Sequence, residues 1–295
     1  MGLDYHGLSF LRYVNRIAGG FGNTITLGRQ EVHVRERIMK GLLGVDNVDF
    51  DGIYCEDLLR KYFGASKVES IDYSPYEHAT YVHDMGVPLP ESLKGQCDTV
   101  IDGGTLEHVF NIVQGFSNTS DLVRVGGQII HILPANNHLG HGFWQMSPEL
   151  FFSLYSEANG YAQTEVYLAN FMNNRRWFKV KPPSDGQRVN AMSFSEMYVL
   201  VRTVKIAERA VAPDVQQSDY SHEWESSEVT EHVPAMVAKS GLKQKLMNLP
   251  FVSDHILLPI YYRLLRLSPS KHATGRNPGL DAVSINALVH EARAR

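Results

Sequence analysis

Cys97-Asp98-Thr99-Val100-Ile101-Asp102-Gly103-Gly104 decides the fold: a β-branched and aliphatic run closes on an acid and a glycine pair. That is the pattern of a strand stopping in a tight turn. Helix signals resume near Thr105, residues 111–123 read as partly helical, and Gly126-Gly127 turns the chain into Gln128-Ile129-Ile130-His131-Ile132-Leu133. This second run is apolar enough to be a central strand buried on both faces. Upstream, residues 24–27 form a short strand stopping at Gly28, residues 31–43 and 54–63 read as helices, and residues 67–72 and 80–84 read as strands closing on Asp72 and Asp84. Downstream, residues 149–155 have helical spacing after Pro148, and residues 165–168 and 197–204 are further strands. Strands alternating with helices through glycine turns predict a doubly wound, mostly parallel α/β sheet of about seven strands. Ligands of such sheets bind outside the carboxyl ends of the strands. Gly28, Asp72, Asp84, Asp102-Gly103-Gly104 and Pro134-Ala135-Asn136-Asn137 are therefore expected around one crevice.

Composition narrows the classes. The chain has 295 residues, 43% of them hydrophobic, which excludes general disorder. Lys and Arg number 28 against 32 Asp and Glu, a formal charge of −4, so no basic excess marks nucleic acid or an anionic membrane as the main partner. The only cysteines, Cys55 and Cys97, suggest neither a disulfide framework nor a zinc cluster and fit a reducing cytoplasm. The N-terminus lacks a charged-then-apolar signal layout, and His6 departs from the myristoylation pattern. The most apolar late stretch, residues 256–267, is too short to span a bilayer and is broken by Pro259, Arg263 and Arg266. A soluble cytoplasmic protein with no integral membrane segment is expected.

From Ala207 the composition changes, with Pro213, Gln216-Gln217, Ser218, Ser221 and an acidic stretch at 223–231 reading as a linker. The expected division is a domain over 1–206 and, over 207–295, a linker with a mainly helical C-terminal extension. In that extension, residues 257–267 form an amphipathic candidate carrying Tyr261, Tyr262, Arg263 and Arg266. It reads as packing against the first domain. Its alternatives are a membrane surface, a protein partner or a second copy of the chain.

Asp72 stands where a nucleoside cofactor needs a carboxylate for its ribose hydroxyls; a turn role before Ser74-Pro75 is the alternative, and Asp84 has the same two readings. After Pro134 the chain is dense in functional side chains. Asn136, Asn137, His138, His141 and Gln145 offer hydrogen bonds, and Phe143 and Trp144 offer flat faces suited to a sugar or other ring. A loop folded on the sheet edge and anchored by Trp144 is the other reading. The spacing of His138 and His141 hints at a metal, but Gly140 and Gly142 argue against a helix and no third ligand is close in sequence, so no metal is expected. Arg175 and Arg176, in a basic and aromatic cluster, are candidates for an acceptor phosphate or for a solvated loop. His141 and then His108 are candidate general bases, because imidazole titrates near neutrality; the flanking glycines let the backbone at His141 approach a substrate.

With these residues in place, the chain resembles the class I S-adenosylmethionine-dependent methyltransferases over residues 24–204. The resemblance is carried by Ile71-Asp72, His83-Asp84, the run from Cys97 through Glu107-His108-Val109, and the run from Leu122 through Gly126-Gly127 to Pro134. It implies a seven-stranded sheet and S-adenosylmethionine as cofactor. Asp72 would serve the ribose, Asp84 and Met85 the adenine, and Gly28 the methionine part, with Asp102 and Gly103 at the same site. The family's glycine-rich first motif is reduced here to Leu27-Gly28-Arg29-Gln30. Arg29 is then a candidate to hold the cofactor carboxylate, or a solvated helix start. Glu107-His108 is similar to a pair found in many members. The acid that completes a metal site in some quinone-pathway relatives is Gly104 here, so that set is not carried over, and Glu107 reads as a capping or pairing residue. The function implied is methyl transfer to an oxygen, or second to a nitrogen, of a small polar acceptor such as a sugar or nucleotide-linked sugar. The alternatives are a non-catalytic methyltransferase-like scaffold for a protein partner and a nicotinamide-dependent oxidoreductase, which needs the glycine-rich turn even more.

Overall fold

In the computed structural model, which describes residues 2–184, 189, 191, 193, 195–208, 215–226 and 279–291, the run that decides the fold is β4 (Cys97–Asp102). It lies between β1 (Gly22–Leu27) and β5 (Val123–Pro134), parallel to both. On the far side of β1 lie β2 (Ala65–Asp72) and the two-residue β3 (Tyr81–Val82), also parallel. The sheet continues past β5 through β8 (Met197–Lys205), β6 (Tyr161–Asn170), β7 (Arg176–Val180) and β9 (Leu280–Ser284), every pair antiparallel. The order is β3-β2-β1-β4-β5-β8-β6-β7-β9. From β1 the chain moves outward to β2 and β3, then returns to β4 on the other side, so the topological switch point falls between β1 and β4.

The expectation of seven mostly parallel strands is corrected to a mixed sheet of nine. β7 was hidden because Arg175, Arg176, Lys179 and Lys181 make the stretch look solvated, yet Trp177, Phe178 and Val180 are buried. The expected mainly helical extension is corrected in part as well. Among its described residues are α6 (Ser218–Ser226), β9 on the edge of the sheet and a π-helical turn (Ala287–Glu291). Ile285 and Val289 are buried in the core with α1 (Tyr5–Ala18). The amphipathic candidate at 257–267 lies outside the described residues.

Two apolar layers enclose the sheet. On one face α1, α2 (Glu36–Leu43) and α3 (Glu56–Tyr62) bring Leu8, Phe10, Leu42 and Leu59 against Ile101, Ile130 and Ile132. On the other, α4 (Ile112–Leu122) and α5 (Pro148–Leu154) bring Phe116 and Phe151 against Val100, Ile129 and Leu133. Alternate residues of β5 thus enter opposite layers, which is why its sequence is apolar without a break. Helix α1 was not apparent from sequence; Asp4 caps it, its side chain accepting the Gly7 N–H at 2.8 Å. Among the described residues no helix is long and apolar enough to cross a membrane.

Candidate active site

The exit turns of β1 and β4 are tied to each other before any ligand is considered. Gly28 takes φ +68°, and its N–H donates to the Ile71 carbonyl at 2.7 Å. The Thr105 hydroxyl donates to the Leu27 carbonyl at 2.7 Å, and a Cβ built on Gly28 would stand 2.8 Å from that hydroxyl. Only glycine fits there without a shift. Beside these turns opens a cleft of about 750 Å³, and Gly28, Arg29, Asp72, Asp84, Met85 and His108 are among its lining residues. A crevice is present at the carboxyl ends of the first strands, but Pro134, Ala135, Asn136 and Asn137, expected around it, are not among its lining residues, and neither is His141.

Asp72 Oδ1 accepts the Ser74 N–H at 3.2 Å, so the turn role is real, while Oδ2 has no hydrogen-bond partner among the described residues. Asp84 similarly accepts the Gly86 N–H at 2.7 Å, and Met85 is buried against the cleft. Arg29 is no free arm. Its Nε lies 2.6 Å from Glu56 Oε1, its Nη1 donates to the Glu77 carbonyl at 2.8 Å, and the guanidinium lies 4.0 Å from the Tyr54 ring centroid. Its charge is already paired with the Glu56 carboxylate, which a ligand carboxylate in the cleft would have to share.

Asp102 and Gly103 are placed differently. Asp102 is fully buried and accepts the Thr105 N–H at 2.9 Å, and its other oxygen lies 2.9 Å from His131 Nδ1. The His131 Nε2 in turn meets the Tyr155 hydroxyl at 2.7 Å. Neither Asp102 nor Gly103 lines the cleft. Gln30 stands against Gly103: it is buried, donates from Nε2 to the Leu27 carbonyl at 2.5 Å, and a Cβ on Gly103 would collide with its Oε1. This residue was missed from sequence. Its signal was its place in Leu27-Gly28-Arg29-Gln30, where the resembling family has further glycines.

The loop after β5 is pinned to the turn after β4. Glu107, in a short 3-10 turn (Leu106–His108), accepts the N–H groups of Phe143 at 2.7 Å and Trp144 at 3.3 Å on its carbonyl. Its carboxylate is buried; Oε1 lies 3.3 Å from His141 Nε2 and 3.7 Å from His108 Nε2, and Oε2 has no partner. Burial, with the Asp102 carboxylate second, pushes the Glu107 pKa up to about 8. Burial also lowers the pKa of His108, His138 and His141, so each favours its neutral form. The two candidate bases are brought together, with ring centroids 4.9 Å apart.

Several loop side chains hold the loop itself. Asn137 donates to the carbonyls of Ser193 and Ser195, Gln145 accepts the His138 N–H at 2.9 Å, and Trp144 Nε1 donates to the Val109 carbonyl at 3.0 Å. The Asn136 carbonyl accepts the Met197 N–H, and the His138 ring stacks on Tyr198. Phe143 stays exposed and meets Phe110, a residue of the cleft lining, edge to face at 5.9 Å. Phe110 was missed because an isolated exposed phenylalanine carries no sequence signal. Arg175 immediately precedes β7, five sheet positions from β1, roughly 24 Å at the usual strand spacing, and does not line the cleft.

The sequence matches no protein-family model and no curated protein. Solved structures with a similar fold include an S-adenosylmethionine-dependent methyltransferase from Thermotoga maritima, with 14% identity over 69% of this chain and 90% of that one at a TM-score of 0.34. Another is the 1,6-didemethyltoxoflavin-N1-methyltransferase of Burkholderia thailandensis with bound S-adenosylhomocysteine, with 12% identity over 67% of this chain and 79% of that one at a TM-score of 0.36. A third is a phosphoethanolamine N-methyltransferase from Haemonchus contortus in complex with S-adenosylhomocysteine, with 13% identity over 67% of this chain and 52% of that one at a TM-score of 0.39. At TM-scores of 0.34, 0.36 and 0.39 these are partial likenesses of architecture, and they assign this chain no activity.

Proposed function

We propose that this protein transfers a methyl group from S-adenosylmethionine to an oxygen of a small polar acceptor, such as a sugar or a nucleotide-linked sugar. The observation that carries the reading is the chain-ordered placement of Gly28, Asp72 and Asp84 around one cleft at the switch point of the sheet. The residues fit the cofactor. Asp72 Oδ2 is available to ribose hydroxyls, Met85 gives an apolar wall beside Asp84 for the adenine, and Gly28 permits the close backbone approach the methionine part needs. Arg29, shared with Glu56, supplies positive charge for the carboxylate. When bound, the cofactor supplies an electrophilic methyl group on a sulfonium. The chain holds the acceptor under the Phe110 and Phe143 lip, and His141, beside Glu107, takes the hydroxyl proton, with His108 next in line.

Gln30 favours a second reading, because it occupies the space beside Gly103 that an open glycine loop would leave free. A methyltransferase-like scaffold without catalysis would tolerate that filling. Incubation with methyl-labelled S-adenosylmethionine and a panel of monosaccharides, nucleotide sugars and amines separates the two. Transfer of label to a hydroxylated acceptor is expected. Absence of transfer across the panel, with the cofactor bound, would leave the scaffold.

A further inference from the structure

Glu107, His108 and His141 reach one point from two segments 34 residues apart, the turn after β4 and the loop after β5. Their donor atoms all lie within 4.8 Å of one another, and the two edges to Glu107 Oε1 measure 3.3 and 3.7 Å. A tetrahedral zinc ion about 2.0–2.1 Å from each donor holds its ligands about 3.3 Å apart, so small rotations of the two imidazoles complete the set. The backbone is arranged for this approach. Gly142 takes φ +68°, and a Cβ there would stand 2.8 Å from Glu107 Cγ, so glycine lets the loop settle on the carboxylate.

A second observation points the same way. The Glu107 side chain is fully buried, and among the described residues its Oε2 has no hydrogen-bond partner and no lysine or arginine pairs with it. Buried this deeply, the carboxyl is costly as an anion unless a proton or a cation completes it. The histidine side chains are 48% and 34% exposed, which leaves the outer side open to water. His108 also lines the cleft, so that open side adjoins it.

We propose that Glu107, His108 and His141 form a binding site for a divalent transition-metal ion of the zinc type, with an open coordination position toward the cleft. Two imidazoles and a carboxylate suit zinc, cobalt, nickel or iron, and are a poor match for magnesium and calcium, which take oxygen ligands. The metal site stands on geometry alone; only the occupant of the open position, the acceptor oxygen, rests on the methyl-transfer reading. With a metal bound, the two histidines would serve as its ligands rather than as bases, and the dication would supply stabilisation of an oxyanion at the open position.

Full-length protein stripped with a chelator and titrated with cobalt(II) alone tests the site. One ion per chain is expected, with the visible absorption of a low-coordinate nitrogen and oxygen site, displaced by zinc(II) and unaffected by excess magnesium. His141→Ala and Glu107→Gln, each folded by circular dichroism, should weaken cobalt binding by at least roughly 10–100-fold, the loss usual even for a group that only supports a ligand. His290→Ala, at an exposed histidine elsewhere, should leave it unchanged. No binding, or binding unaltered in His141→Ala, overturns the proposal. Calorimetry with S-adenosylhomocysteine on the same samples keeps the two readings apart. Cofactor binding without cobalt binding removes only the metal site, and cobalt binding without cofactor binding upholds the site and removes the methyl-transfer reading.

Discussion

Asp102 and His131 occupy the same register on adjacent strands β4 and β5 and meet at 2.9 Å with neither side chain exposed. The same carboxylate accepts the Thr105 N–H, so one residue fixes both the register of the central strands and the turn that borders the cleft. Removing one partner of such a pair strands the other in the core. Asp102→Ala is expected to lower unfolding free energy by about 3–5 kcal/mol, read from urea denaturation. A loss below about 1 kcal/mol would show that the pair does not support the sheet.

Gly28 tests the other wall. An L side chain at φ +68° costs about 1–2 kcal/mol in conformation alone, and the Thr105 hydroxyl is in its way. Gly28→Ala should lower the urea midpoint accordingly and weaken cofactor binding. Adding Thr105→Ala should relieve the contact but not the backbone strain. Full stability in the single variant would mean that the turn is not held as described.

How much could be read from sequence depended on whether the deciding contact is local. The strands β1, β2 and β4 announce themselves by runs ending in glycine or acid and β5 by an unbroken apolar run, and the cleft residues Gly28, Asp72 and Asp84 follow from strand ends, whereas Met85 came only through the family resemblance. β7 did not, because an edge strand can carry charge on its open face while burying Trp177. β9 lay within the stretch read as a mainly helical extension, and its partner β7 is about a hundred residues upstream, as distant as any strand pairing among the described residues. The Asp102 contact with His131 and the Glu107 contact with His141 depend on strands and loops meeting in space, so neither residue's role was visible from its neighbours.

Both thiols are expected to be inert in the native state. Burial pushes the Cys97 thiol up to about 12, and Cys55 is raised for the same reason. A raised thiol pKa keeps the unreactive protonated form, so at pH 8 only about one Cys97 in 10⁴ would be thiolate. A chromogenic disulfide reagent should find no thiol at pH 8 in native protein and both after guanidinium unfolding. Rapid native reaction would place a cysteine at the surface.

His141→Ala should lower turnover by about 10²–10⁴, whether the imidazole acts as base or as metal ligand, while S-adenosylhomocysteine affinity stays nearly unchanged. His108→Ala should cost less. Full activity in both variants would mean that no histidine serves the reaction, as for an amine acceptor that attacks in its neutral form, and the oxygen assignment would fall.

The central claim is that the cleft at the ends of β1, β2 and β4 holds the cofactor, and titration calorimetry of the full chain with S-adenosylhomocysteine tests it most directly. The wild-type protein should bind one equivalent. A folded Asp72→Ala variant should bind about 1.5–3 kcal/mol more weakly, roughly a 10–150-fold rise in Kd, the range for a hydrogen bond to a charged group. No binding heat in the wild type, or the same Kd in the variant, would contradict the assignment.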